Sequence, residues 1–118
     1  MNGHDVLREA ATLIRRGWCC GADARDCCGV PVAASDPAAT AWSLPGALAV
    51  VSERPDTDLV ALRDALWGIS GVIPDSSLEG WNDAPGRSQD ETLHMLAGAS
   101  TSLGHHPPPK PAEDGPLN

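Results

Sequence analysis

The sequence predicts a mainly α protein: a compact four-helix domain with an irregular segment between the first two helices. Three observations carry that prediction. Apolar residues recur at helical spacing in four stretches, residues that start and stop helices bracket those stretches, and no comparable strand pattern competes with them. A chain of 118 residues supports one domain, because two would each fall near the size at which a core becomes marginal. The domain is expected over residues 4–103, and residues 104–118 are expected to form a disordered, Pro-rich tail.

The first helix carries Val6, Leu7, Ala10, Leu13 and Ile14 on one stripe, with Arg8, Glu9, Arg15 and Arg16 off it. Asp5 is the expected N-cap. Arg15 and Arg16 complement the dipole of the last turn, and Gly17 ends the helix. Trp18 to Ala34, punctuated by Gly21, Gly29 and Pro31, reads as an ordered loop with at most two short strands. Ser35-Asp36-Pro37 reads as the start of a second helix carrying Ala38, Ala41, Trp42, Leu44, Leu48 and Val51, with a kink or break at Pro45. Pro55-Asp56-Thr57 opens a third, with Leu59, Leu62, Leu66 and Ile69 on one face and Ser70-Gly71 at its end. Val72 to Arg87 is turn-rich, with room for one helical turn around Ser76 to Trp81. Ser88-Gln89-Asp90-Glu91 is a capping box for the last helix, which turns Leu93, Leu96, Ala97 and Leu103 inward and fades at Gly104.

Composition narrows the function. The chain holds 16 acidic and 8 basic residues, a formal charge of −8 and a pI near 4.7. Without a basic stripe, such a chain is repelled by phosphate backbones, so no nucleic-acid partner is expected. No apolar run approaches the roughly 20 residues of a membrane span. The Met1-Asn2-Gly3-His4-Asp5 start has neither the basic nor the apolar region of a signal peptide, so a cytoplasmic location off the membrane is expected. Four Trp stand without any Phe or Tyr, so each is expected to anchor a core of small aliphatic side chains, with Trp81 the first candidate for another role.

The cysteines occur as Cys19-Cys20 and Cys27-Cys28. They lack the C-x₂-C spacing that lets two thiolates converge on zinc, and a cytoplasmic chain rarely keeps disulfides, so they read as small, buried or half-buried apolar residues. No metal and no cofactor are expected. His105-His106 before a Pro run does not make a site. His94 follows Asp90 by four residues and Glu91 by three, which makes either a surface pair or an acid/base pair.

The segment with the most chemistry is Trp81-Asn82-Asp83-Ala84-Pro85-Gly86-Arg87-Ser88. Trp81, Asn82, Asp83 and Arg87 are the candidate ligand-binding residues: an aromatic wall, an amide, a carboxylate, and a guanidinium beside a helix N-terminus. For an enzyme the candidates are Asp83 as base, Arg87 as stabiliser of an anion or enolate, and His94 as their partner. The structural alternative has Asp83 paired with Arg87 across the Pro85-Gly86 turn, with Trp81 plugging the core.

Leu7 to Arg16 followed by Gly17-Trp18-Cys19, then Gly21-Ala22, Ala24-Arg25-Asp26, Ala41-Trp42, Gly46-Ala47-Leu48, Trp81-Asn82-Asp83, Gly86-Arg87-Ser88 and Glu91 together resemble a family of small uncharacterised proteins of actinobacteria and their phages, over about residues 5–103. The best motifs are Gly-Trp-Cys-x-Gly-Ala and Trp-Asn-Asp…Gly-Arg. The chain departs from the pattern at Ser43, where the family often has Cys, and at Pro45, where an aliphatic residue is usual. Cys20, Cys27 and Cys28 lie outside it. The resemblance implies a compact helical domain and no particular mechanism.

Without a nucleotide loop, triad spacing or metal motif, the expected function is that of a small accessory or regulatory protein that binds a partner protein or a small molecule. The alternative is a cofactor-free acid/base enzyme of cyclase or isomerase type in an actinobacterial biosynthetic pathway.

Overall fold

The computed structural model describes residues 1–74 and 77–109. The architecture is mainly α, and the described residues contain five helices where four were expected. In chain order the elements are α1 (Gly3–Arg16), β1 (Ala24–Arg25), β2 (Pro31–Val32), β3 (Ala41–Trp42), α2 (Leu44–Ser52), α3 (Leu59–Ser70), α4 (Leu78–Asn82) and α5 (Gln89–His105). The extra helix is α4. Ser77 caps it by accepting from the Gly80 N–H, and its five residues are too few to show a period. Of the single turn expected around Ser76 to Trp81, Ser76 lies outside the described residues, as do Asp75 and the expected tail from Lys110 onward.

The capping chemistry explains the other differences. Asn2, not Asp5, caps α1. Its Oδ1 accepts from the Asp5 N–H, and the Asp5 carboxylate accepts from the Asn2 N–H, closing a capping box. Those bonds, first the one from the Asn2 backbone and then Arg8, lower the Asp5 pKa. The second helix does not begin at Pro37 and does not kink at Pro45. It begins at Leu44 with Ser43 as N-cap, and Pro45 sits in the first turn, where its missing N–H costs nothing. The residues read as its first half form a turn at Asp36 and then strand β3.

The three two-residue strands form an antiparallel sheet in the order β2-β1-β3, with Ala24 opposite both Val32 and Trp42. The sheet rests on α1 through β3, and Trp42 is buried with its indole N–H donated to Ala34 O. Gly46 lets α2 dock on the segment leading into β1, because a Cβ there would stand 2.0 Å from Asp23 O.

α1 is the centre of the domain. Its stripe of Val6, Leu7, Ala10, Leu13 and Ile14 is buried as expected and packs against α2, α3 and α5. The inner face of α3 differs from the expected leucine stripe. Ala61, Ala65, Gly68 and Ile69 are buried, whereas Leu59 is 82% exposed and Leu66 lies at the edge. Small residues win because α3 lies close against α5: a Cβ on Gly68 would reach 2.7 Å from Ala99 O. Asp58, not Pro55-Asp56-Thr57, starts this helix as its N-cap. On α5 the Ser88–Glu91 capping box is present as expected, and the buried face is Thr92, Met95, Leu96, Ala99 and Leu103. Leu93 is only half-buried and Ala97 is exposed, contrary to the expected inward set. The helix runs through Gly104 to His105. No helix among the described residues is long and apolar enough to cross a membrane.

Candidate functional site

The segment Trp81–Ser88 runs from the end of α4 to the N-cap of α5, and it divides its side chains between two places. The chain reverses through Gly86, whose φ of +82° lies in the left-handed region that Gly adopts without strain. Trp81 and Asn82 are buried on the last turn of α4, and Arg87 folds back over Trp81.

Asn82 points into the protein and is fully buried. Its Oδ1 accepts from the Trp18 indole N–H at 2.8 Å and from the Leu44 N–H at 2.9 Å. Its Nδ2 donates to Cys19 O at 3.1 Å and to Asp83 Oδ1 at 3.0 Å. Asp83 also accepts from the Gly21 N–H at 3.0 Å. The Gly-Trp-Cys-x-Gly-Ala and Trp-Asn-Asp stretches, 63 residues apart at the Cys19–Asn82 bond, thus meet in one hydrogen-bond cluster that also satisfies the first turn of α2. Cys19 is buried beside this cluster, and burial raises its pKa, with Arg25 opposing.

Arg87 takes the opposite direction. Its guanidinium lies 3.8 Å from the centre of the Trp81 ring, and its Nε donates to Trp81 O at 2.8 Å. Its Nη1 stands 3.9 Å from Glu91 Oε2. The expected Asp83–Arg87 pair is therefore not formed. The carboxylate caps the loop at Gly21, while the guanidinium is held by Trp81 and Glu91. An aromatic face beside an unoccupied carbonyl is a competitor that four-residue spacing does not reveal.

The Arg87 side forms an open cleft of about 650 Å³. Trp81, Val72, Ile73 and Met95 supply its apolar surface, and α5 supplies Asp90, Glu91 and His94. Of the candidate residues, the cleft thus gathers Trp81, Arg87 and His94. Asn82 and Asp83 are not among its walls. His94 is exposed and makes no hydrogen bond or ion pair with Asp90 or Glu91 among the described residues. Val72, Ile73, Met95 and Gly98 were missed at the sequence level. Glu91, His94, Met95 and Gly98 share helical spacing along one side of α5, and that periodicity was the available signal for the last two.

The cysteines stand as free thiols: Cys19 is buried, and Cys20, Cys27 and Cys28 are exposed. Among the described residues no group of three or more His, Cys, Asp or Glu side chains is placed to hold a metal ion. Trp67, not Trp81, is the Trp that leaves the core. It is 43% exposed and donates its indole N–H to His106 O.

The fold and this site define a small, mainly helical domain with an apolar cleft beside its last helix. The chain belongs to a family of unknown function, DUF6197, whose model matches residues 2–102. No curated protein and no solved structure matches it.

Proposed function

We propose that this domain is a non-catalytic binding module of accessory or regulatory type, acting in the cytoplasm, whose cleft receives an apolar group carrying a positive charge. An actinobacterial or phage source, which its two motifs suggest, belongs to the same reading. The observation that carries it is the composition of the cleft. Trp81, Val72, Ile73 and Met95 offer apolar surface. Arg87 is already stacked on Trp81 and faces Glu91, whereas Asp90 on the same wall has no ion pair among the described residues. The ligand is a small molecule or a partner side chain with an apolar body and a cationic end. The binding reading is favoured over the enzyme alternative because Asp83, the base of that alternative, is bound to the Gly21 and Asn82 N–H groups and does not line the cleft.

The test is an amide NMR titration with phenethylamine, and with phenylacetate as its anionic counterpart. Saturable shifts at Val72, Trp81, His94 and Met95 are expected for the amine and not for the acid. Gly98→Leu provides the control. A Cβ at Gly98 meets only Val72 Cγ1, at 3.8 Å, so the larger side chain fills the cleft without a clash and should abolish those shifts. Equal shifts with both probes, or shifts that survive Gly98→Leu, would overturn the reading.

A further inference from the structure

The helix α5 has a second uncovered side, toward α1. Leu93 and Ala97 fit the inward apolar pattern of α5, yet one is half-buried and the other exposed. They face a groove of about 400 Å³ whose floor is completed by Leu7, Ala11 and Leu96. Two polar clamps tie the helices together near the ends of the groove. His4 Nδ1 and Ser100 Oγ lie 2.8 Å apart at one end, and Gln89 Nε2 donates to Ile14 O at 2.8 Å at the other. The clamps hold α1 and α5 in place, while the apolar surface between them stays open.

The charge of this groove runs against that of the chain. In a protein of formal charge −8, its charged walls are Arg8 and Arg15, and no carboxylate lines it among the described residues. Asp5 engages Arg8, whereas Arg15 has no ion pair among the described residues. Asp90, one turn before Leu93, lines the opposite cleft. Helix termination accounts for a cation at the position of Arg15, but it does not account for the uncovered apolar surface beside it. Seven residues of helix separate Arg8 from Arg15, a span of about 10 Å.

From this juxtaposition we infer that the α1/α5 groove is a binding site for a small amphiphilic carboxylate, a straight-chain or aryl acid with an apolar body about 10 Å long. The hydrocarbon lies on Ala11, Leu93 and Ala97, above the buried Leu7, and the carboxylate accepts from the Arg15 guanidinium. The site is independent of the α4/α5 cleft and selects the opposite charge.

The experiment is an amide NMR titration of the full chain with octanoate, kept below micelle formation, and with octylammonium as the cationic counterpart. Octanoate should give saturable shifts at Leu7, Ala11, Leu93 and Ala97. Arg15→Gln should weaken it by about tenfold or more through loss of a charge-assisted hydrogen bond. Arg15→Lys should recover part of the affinity. Ala97→Trp, at an exposed position, should block the groove, with circular dichroism confirming that each variant is folded. The inference is overturned by shifts confined to the α4/α5 cleft, by equal affinity for octylammonium, or by binding that neither Arg15→Gln nor Ala97→Trp reduces. Failure here leaves the phenethylamine result intact, and the reverse also holds, so the two readings stand or fall separately.

Discussion

Removing the Asn82 side chain tests the hydrogen-bond cluster most directly. Asn82→Ala deletes the acceptor of the Leu44 N–H and the donor to Cys19 O, both in buried bonds. A buried backbone group left without a partner costs about 1–3 kcal/mol. The Trp18 indole N–H, in a part-buried bond, also loses its acceptor but can turn toward water at lower cost. The expected loss is about 3–5 kcal/mol, a large share of the roughly 5–15 kcal/mol that holds such a domain together. The assay is equilibrium urea unfolding followed by Trp fluorescence. With a slope of about 1–3 kcal/mol per molar urea, the midpoint should fall by about 2 M. Trp18→Phe should cost less alone, and the double variant should cost less than the two singles combined, because both remove the same bond. Asn82→Asp sharpens the test. Its carboxylate would face Cys19 O and Asp83 Oδ1 without a donor, so the variant should be weakest near neutral pH and regain stability as acid protonates it. A loss below about 1 kcal/mol for Asn82→Ala would refute the reasoning, since it would mean that water replaces the amide at no cost.

Four further outcomes follow from the geometry. Gly46→Ala should destabilise by about 3 kcal/mol or more in the same assay, because the new methyl meets a backbone carbonyl at 2.0 Å and neither partner is a movable side chain. Arg87→Lys should cost about 1 kcal/mol, since an ammonium cannot lie flat on Trp81 while donating sideways to Trp81 O, and a thermal melt reads the difference. Asp83→Asn and Arg87→Lys should add in a double-mutant cycle to within about 0.5 kcal/mol, because no ion pair joins them; a larger coupling would restore the pair expected from spacing. Burial raises the Cys19 pKa above its unfolded value, so the folded state holds that proton longer and stability should fall as pH rises past about 8.5. Cys19→Ala should flatten that alkaline decline, measured as urea midpoints across pH.

The parts of this fold legible in the sequence are those whose signal is local. The stripe of α1 and the Ser88–Glu91 capping box are written in consecutive residues, and both are present. Pro45 shows the limit of local reading. The same residue breaks a helix in its interior and opens one in its first turn, and which applies depended on Ser43 as cap and on Trp42 being drawn into the sheet. The α3 face was misread for a tertiary reason. Leucine spacing promised burial for Leu59 and Leu66, but contact with Ala99 at Gly68 turns the small residues inward. At the site, sequence singled out Trp81, Asn82, Asp83 and Arg87 as one constellation, while the structure uses Asn82 and Asp83 to tie loops together and turns Arg87 toward the cleft. Bond directions of this kind depend on Cys19 and Gly21, about 60 residues earlier, which no local pattern displays.

The central place of α1 has a consequence for synthesis on the ribosome. The helix is made before the elements that cover it, and its apolar stripe is closed on one side by α5, the last helix among the described residues. Until residues 89–105 leave the exit tunnel, Leu7 and Ala10 have no complete surroundings, and the bonds from Trp18 and Cys19 wait for Asn82. Helices α1 and α2 can meet early, but the nascent domain carries an uncovered greasy seam until α5 arrives. Folding of the domain therefore waits for α5, which leaves a window in which holdase chaperones compete with that helix for the same surface.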